Sequence, residues 1–206
     1  MDPKTIFTVM KSESDKTKII IGNVLIMLGN RIYIGKDGTK LPLLSVDKFD
    51  VEKDIEDSGD GTFTLKTNNG EKYAVKIIFQ KITSTGKQSA ISDFFKEFSQ
   101  FKRIIIAKEY NNKISDFMAK HHTQIFRESS FLSDLISYRD QPRFELLSPK
   151  EIELFKKEYN TTDYTTKKIL RSDPISKYFA LRKGDIIRII RPSPTSGQAI
   201  DYRIVS

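Results

Sequence analysis

Two carboxylates and a lysine in the first half of the chain, Asp60, Glu71 and Lys76, are the residue types that could support metal-dependent hydrolysis. Such hydrolysis requires carboxylates that converge on one metal position. Glu71 directly follows a turn signal, Asn69-Gly70, and Asp60 lies in Ser58-Gly59-Asp60-Gly61, the end of an acidic stretch over 45–61, which we expect to form a mobile loop. The sequence therefore argues against a nuclease, and we expect no catalytic residue.

A pair of adjacent histidines and the lack of cysteine limit the remaining chemistry. His121 and His122 are the only histidines, and neighbouring side chains on a helix or strand point in different directions, so joint metal binding is not expected. A chain without cysteine has no disulfide, no cysteine nucleophile and no cysteine-ligated zinc. No glycine-rich phosphate loop is present. We therefore expect no cofactor, no metal and no small-molecule substrate.

The charge balance of the chain is basic. The 206 residues carry a formal net charge of +8, and the isoelectric point is about 9.4. This balance favours association with nucleic acid or an acidic partner surface, and the alternative is a solvated basic surface without a specific partner. The apolar stretch Ile19–Leu28 is interrupted by Gly22 and Asn23, whereas a membrane span needs roughly 20 apolar residues. We expect a soluble intracellular protein without membrane contact.

The elements that must position these residues form a mixed α/β pattern over 1–140, because candidate strands alternate with candidate helices. A weakly held polar segment, 1–18, is predicted to precede a helix that runs into a strand at Ile19–Ile34. Asn68-Asn69-Gly70 between two apolar runs predicts a β-hairpin. Further candidates are a helix with one apolar face at Ser92–Phe101, a buried strand at Ile104–Ala107, a helix at Lys113–Lys120 and a strand at Thr123–Leu132.

A polar segment that ends at Pro142 predicts a boundary between domains 1–140 and 141–206. In the second domain, Ser148-Pro149-Lys150-Glu151 is a capping box with proline at the first helical position, and Asp173-Pro174 begins another helix. Candidate strands lie at Phe144–Leu147, Asp185–Arg191 and Ala199–Val205, with a loop at Pro192–Gly197. The predicted fold class is α+β: a mixed α/β domain, then a small α+β domain with a mixed sheet and two helices.

The segment from Ser172 to Val205 resembles the fifth small subunit of eukaryotic-type DNA-directed RNA polymerases and its archaeal counterpart. Identities with the family pattern recur at fixed spacing, at Asp173-Pro174, Gly184, Ile190-Arg191, Thr195, Gly197 and Tyr202-Arg203. Upstream, Pro142 to Tyr159 also resembles this family. The chain departs from the pattern at Ala180, where the family usually has glycine, and at Thr165–Lys168, where it usually has Leu-Pro.

This resemblance implies a jaw-like domain (1–140), an assembly domain (141–206) and a non-catalytic role. The chain would dock on the largest polymerase subunit, contact other subunits and support downstream double-stranded DNA. The implied partner-interface residues are Arg191, Pro192, Thr195, Gly197, Tyr202 and Arg203. The implied DNA-proximal residues are Lys102, Arg103 and Lys108. Guanidinium groups suit carboxylates and carbonyls, and lysines suit phosphates.

Several alternatives stay open at this point. Arg191 and Arg203 could pair only with acids of their own domain, and the lysines could belong to an ordinary solvated face. A free-standing DNA-binding transcription regulator is the second functional hypothesis. The N-terminal half diverges more than the C-terminal half, which suggests a homologue from a large cytoplasmic DNA virus. The expected location is then the host cytoplasm and the virion, or the nucleus if the protein is cellular.

Overall fold

The computed structural model of the chain describes residues 12–35, 38–44, 56–57, 60–84, 90–133, 136 and 141–206. Its helices and mixed sheets confirm the predicted α+β class. Within these residues, no helix is both long and apolar enough to span a membrane.

The elements follow one another in chain order as α1 (Glu13–Asn30), β1 (Ile32–Ile34), β2 (Lys40–Pro42), β3 (Glu56–Asp57), β4 (Thr62–Lys66), β5 (Lys72–Ile82), α2 (Ala90–Glu97), β6 (Lys102–Tyr110), α3 (Asn112–Lys120), β7 (Thr123–Arg127), β8 (Arg143–Leu146), α4 (Pro149–Glu158), β9 (Lys168–Ile169), α5 (Pro174–Tyr178), β10 (Ile186–Ser193) and β11 (Gly197–Val205).

Helix α1 begins at Glu13, earlier than the apolar pattern from Ile19 onward predicts. The side chain of Ser12 accepts a hydrogen bond from the N–H of Asp15, at 3.1 Å, and so caps the helix. The acidic residues Glu13 and Asp15 in the first turn suit the positive end of the helix dipole. The expectation that the segment up to residue 18 is weakly held is therefore wrong from Ser12 onward, and residues 1–11 lie outside the described part.

The N-terminal sheet has five strands in the order β3-β4-β5-β6-β7. Strands β4 and β5 form the predicted hairpin, and Leu65 lies opposite Tyr73. Strands β5, β6 and β7 run parallel, joined by crossovers through α2 and α3. In the acidic stretch, Glu56 and Asp57 pair with β4. Of the loop predicted at its end, Asp60 and Gly61 form a turn, while 45–55 and 58–59 lie outside the described residues. The strand predicted to Leu132 ends at Arg127, because a 3₁₀ turn follows at Glu128–Ser130.

Both faces of this sheet are covered, as is usual for parallel strands. Ile104 and Ile106 of β6 point into the core that α1 covers, whereas Ile105 and Ala107 point into the core beneath α2 and α3. All four are fully buried. The short apolar run predicted as a buried strand is thus confirmed, and it lies between β5 and β7 in the sheet.

The C-terminal sheet has the order β8-β10-β11-β9 and is mixed, since β9 is parallel to β11 and the other pairs are antiparallel. Phe155 of α4 packs against Ile186 and Ile204 on one face. Ile187 and Ile189 face the opposite core, beside α5. The mixed sheet with two helices is therefore confirmed. The predicted loop is shorter than expected, because Pro192 and Ser193 pair with β11.

Helix α4 begins with the predicted capping box. The N–H of Glu151 donates to Ser148 Oγ at 3.4 Å, and the N–H of Ser148 donates to Glu151 Oε2 at 2.7 Å. Pro149 occupies the first helical position. The local sequence thus fixes this helix start without help from distant residues.

A buried arginine connects the two halves of the chain. Arg31, only 3% exposed, donates from Nε to the carbonyl of Tyr178 at 2.7 Å and from Nη2 to Gln124 Oε1 at 2.9 Å. Tyr178 of α5 also packs into the core of α1. Burial lowers the pKa of Arg31 to about 10, so the side chain stays protonated at neutral pH.

Candidate partner and nucleic-acid interfaces

The β10–β11 hairpin projects beyond its own sheet. Strand β8 pairs with β10 only at 187–190, and β9 pairs with β11 only at 204–205. Among the described residues, the outer edges of Arg191–Ser193 and of Gly197–Arg203 therefore have no strand partner. Every residue from 191 to 200 is exposed except the half-buried Ser193. Gly197 has φ +72° where the tight turn enters β11, a conformation that glycine adopts without strain. The end of the hairpin thus offers free backbone and side chains to a partner.

The two arginines of the predicted interface differ in their surroundings. Arg191 is exposed, and its side chain makes no hydrogen bond or ion pair with another described residue. Arg203 donates from Nε to Asp201 Oδ2 at 3.4 Å, and Lys167 Nζ lies 2.7 Å from Asp201 Oδ1. Burial opposes ionisation of Asp201, but the hydrogen bonds from Lys167 and Arg203 outweigh it and hold its pKa below the ordinary value. The geometry therefore supports pairing within the domain for Arg203 and leaves Arg191 available.

Tyr202 belongs to an aromatic group on the α4 face of the sheet. Its ring stacks on Phe155 with centroids 4.3 Å apart and lies 5.4 Å from the ring of Tyr159. Burial raises the pKa of the Tyr202 phenol. Tyr159 is 58% exposed, and Ile200, on the same face of β11, is 51% exposed. Pro192 and Thr195 are exposed farther out. The sequence reasoning missed Ile200, although its alternation with Tyr202 and Ile204 signals a common face.

The predicted DNA-proximal residues do not form one patch. Lys102 Nζ makes an ion pair with Glu71, and Arg103 donates to the carbonyls of Phe95 and His121 at 3.2 and 2.6 Å. Lys108 is exposed near the far end of β6. The strand rises about 3.3 Å per residue, which separates Lys108 from Lys102 by roughly 20 Å. Lys102 lies over the ring of Tyr73 and Arg103 over the ring of Phe95, on opposite faces of the sheet, so the structure brings no two of the three side chains together.

The two carboxylates that could support hydrolysis, Asp60 and Glu71, form ion pairs with different lysines. Lys76 Nζ lies 2.8 Å from Asp60 Oδ2, whereas Glu71 pairs with Lys102. The Lys76 hydrogen bond holds the pKa of Asp60 below its ordinary value. Within the described ranges, no group of three potential metal-ligating side chains occurs. The imidazole of His121 lies 4.4 Å from the ring of Phe117. This geometry gives no support to hydrolysis.

Comparison with known proteins decides the family. A family model described as "RNA polymerase Rpb5, C-terminal domain" matches residues 133–205. The chain is 57% identical over 206 residues, the full length of both proteins, to "DNA-directed RNA polymerase subunit 5" of Acanthamoeba polyphaga mimivirus. The chain belongs to the Rpb5 family.

Other Rpb5-family relatives are cellular. The chain is 26% identical over 153 residues to "DNA-directed RNA polymerases I, II, and III subunit RPABC1" of Caenorhabditis briggsae, which covers 71% of this chain and 72% of the nematode protein. It is 38% identical over 64 residues to "DNA-directed RNA polymerase subunit Rpo5" of Methanocaldococcus jannaschii, which covers 31% of this chain and 82% of the archaeal one. The relationship predicted from the C-terminal motifs is confirmed, and the mimivirus relative supports the viral link.

Proposed function

We propose that this Rpb5-family chain is a non-catalytic subunit of a multi-subunit DNA-directed RNA polymerase and docks on the largest subunit through its β10–β11 hairpin. The observation that carries the docking proposal is the projecting end of the hairpin, where Arg191 is exposed and unpaired among the described residues. Pro192, Thr195 and Gly197 lie in the same exposed stretch. Relatives named as polymerase subunits support assembly with other subunits.

We also propose the division into a jaw-like domain (1–140) and an assembly domain (141–206). The five-stranded and the four-stranded sheets share no strand, and each has apolar clusters of its own, which supports this division. The family model that begins at residue 133 supports it as well. Arg31 and Tyr178 would hold the two domains together.

The proposed contact with downstream double-stranded DNA belongs to the jaw-like domain. Its 22 basic residues, against 19 acidic ones, support this contact, since lysine and arginine side chains neutralise backbone phosphates without reading sequence. Because Lys108 lies far from Lys102 and Arg103, we propose that these residues would meet different phosphates. Binding through phosphates predicts a steep loss of DNA affinity as salt rises.

The alternative of a free-standing DNA-binding transcription regulator finds less support. The named relatives are polymerase subunits, and the projecting hairpin suits a permanent partner. By analogy with the mimivirus relative, we propose that the protein acts in the cytoplasm of an infected host and enters the virion. A cellular origin would instead place it in the nucleus.

The test uses the tagged full-length chain, co-expressed with the other polymerase subunits. Wild-type chain should recover the largest subunit, and Arg191→Glu should weaken that recovery. Loss of an arginine hot spot costs about 2 kcal/mol, or roughly 30-fold in affinity. Lys66→Glu is the matched control, because Lys66 is exposed in the other domain and the charge change is the same. Equal recovery with Arg191→Glu would exclude Arg191 from the interface, and a wild-type chain recovered alone would overturn the subunit proposal.

A further inference from the structure

The outer edge of β7 has no strand partner among the described residues. This strand is the last of the five-stranded sheet and pairs with β6. No backbone hydrogen bond joins 123–127 to any described residue outside β6, and the hydroxyl that donates to the Ile125 carbonyl at 3.2 Å belongs to Tyr110 of β6. In a parallel pair, alternate residues direct their N–H and C=O groups to the neighbouring strand, so those of the remaining residues point outward. The outer edge of β7 therefore presents backbone donors and acceptors without a protein partner in the part that the structure describes.

A cleft of about 390 Å³ runs along this edge. Four consecutive residues of β7, Thr123–Phe126, line it. Successive side chains of a strand point to opposite faces of the sheet, and Ile125 and Phe126 pack into the cores on opposite faces. A cavity that touches four successive residues therefore lies along the strand edge rather than against either face. These four residues span about 10 Å, which sets the length of an added strand at three or four paired residues.

The walls on either side of the edge leave room for a further strand. Helix α3 packs on one face of the sheet, and Ser115 and Ala119 of this helix line the cleft. Helix α5 packs on the other face, and Ala180 and Leu181, which follow it, also line the cleft. Neighbouring strands lie only about 4.8 Å apart, so an added strand needs walls with small side chains, and three of these four are serine or alanine. The cleft thus has the position and the shape for a sixth strand.

The wall formed by α5 and the segments beside it is basic. Arg171 and Lys177 line the cleft there, and neither side chain makes an ion pair or hydrogen bond with another described residue. The other lining cations already interact with a carboxylate or with backbone carbonyls: Lys102, Arg103 and Arg182. Among the described lining residues, none is acidic. An occupant that bears carboxylates toward α5 would therefore complement Arg171 and Lys177.

We propose that β7 accepts an extended acidic segment of another protein, which pairs with its outer edge as a sixth strand and places carboxylates against Arg171 and Lys177. In such strand addition, main-chain hydrogen bonds give affinity and alternate side chains give specificity. Because side chains alternate along a strand, the segment should carry acidic residues at every second position and small or apolar residues between them, facing α3. Nucleic acid could neutralise the two cations, but it has no ladder of N–H and C=O groups for a strand edge. The proposal does not depend on the β10–β11 hairpin or on polymerase assembly, because every residue that carries it lines this cleft.

The test titrates the full-length chain into a fluorescent six-residue peptide, Asp-Val-Asp-Val-Asp-Val, at physiological salt. Fluorescence anisotropy should show saturable binding, and no saturation up to millimolar protein would overturn the proposal. The isomer Asp-Asp-Asp-Val-Val-Val has the same charge but cannot place its carboxylates on one wall, so it should bind roughly 10-fold more weakly; equal affinity would overturn the alternation.

Backbone methylation of the same peptide tests the hydrogen-bond ladder. One version carries N-methyl groups on every aspartate and the other on every valine, and in an added strand only one of these sets faces β7. Methylation of the set that faces β7 should weaken binding at least 10-fold, whereas methylation of the other set should leave it within twofold. The same effect in both versions, whether loss or retention, would overturn strand pairing.

Two further measurements locate the site on the protein. Arg171→Glu with Lys177→Glu should bind the alternating peptide roughly 100-fold more weakly, because two charge-assisted contacts are lost. The control pair, Lys150→Glu with Lys157→Glu on exposed sites of α4, changes the net charge equally and should bind within twofold of wild type, and an equal loss in both pairs would overturn the assignment to this cleft.

Hydrogen exchange of the wild-type chain needs no variant. The bound peptide should slow exchange of amides within 123–127, and unchanged exchange there at saturation would overturn the proposal. A hexamer of single-stranded deoxythymidine that binds as tightly as the peptide and protects the same amides would overturn the proposal in favour of a nucleic acid.

Discussion

Replacing Ala180 by glycine should stabilise the protein. Ala180 has φ +52° and follows Phe179, the C-cap of α5. Its N–H donates to the Lys177 carbonyl at 3.1 Å, and the N–H of Leu181 donates to the Ser176 carbonyl at 2.9 Å. These two bonds define a Schellman motif, whose left-handed position usually holds glycine. The usual glycine of the family at this position thus has a conformational reason, and alanine here is strained.

The expected gain follows from two opposing contributions. A left-handed conformation costs an alanine roughly 1–2 kcal/mol. Glycine has more conformational freedom than alanine in the unfolded chain, and this entropy stabilises the unfolded state by about 0.4–1 kcal/mol. Ala180→Gly should therefore raise the free energy of unfolding by about 0.5–1 kcal/mol. Ala119→Gly, the same change on the exposed side of α3, should lower it by about 1 kcal/mol. Urea unfolding followed by far-UV circular dichroism measures both, and equal destabilisation by the two variants would refute the reasoning.

Two further predictions concern backbone strain and acid sensitivity. Gly61→Ala should lower the free energy of unfolding by about 2–4 kcal/mol, because φ is +66° and the new Cβ would lie 2.9 Å from the Ile77 carbonyl oxygen. Gly70→Ala is the control: φ is +83° but the new Cβ would meet open space, so the loss should be only about 1–2 kcal/mol. For Glu151, burial is outweighed by hydrogen bonds from Lys40 and Ser148, which hold its pKa below the ordinary 4.5. The stabilising effect of the Glu151 carboxylate should be present above pH 4.5 and lost as pH falls through the lowered pKa. The urea midpoint of Glu151→Gln should therefore fall less than the wild-type midpoint when the pH is lowered through this range.

Local signals in the sequence were sufficient for many of the elements. The capping box at Ser148 and the turn at Asn68–Gly70 involve residues only a few positions apart, and both are confirmed. Phe94 and Phe98 share one face of α2, as helical spacing predicts. Such signals depend on backbone hydrogen bonds and side-chain direction within one element, so no knowledge of tertiary structure is needed.

Features that depend on distant residues could not be predicted. Arg31 has a residue type that usually lies at the surface, and its burial depends on carbonyls at Lys177 and Tyr178. Arg103 and Arg182 line one cleft although nearly 80 positions separate them along the chain. The start of α1 differs from the prediction for another reason: apolar periodicity marks the buried face, whereas the helix capped by Ser12 begins before that face does.

The most direct test of the central claim is the stoichiometry of the polymerase purified from its native source. Quantitative mass spectrometry of the purified enzyme should find one copy of this chain for each copy of the largest subunit, and the ratio should persist through high-salt washing. The hairpin end at 191–200 should become protected from hydrogen exchange in the complex relative to the isolated chain. A polymerase that is complete and active without this chain would contradict the account.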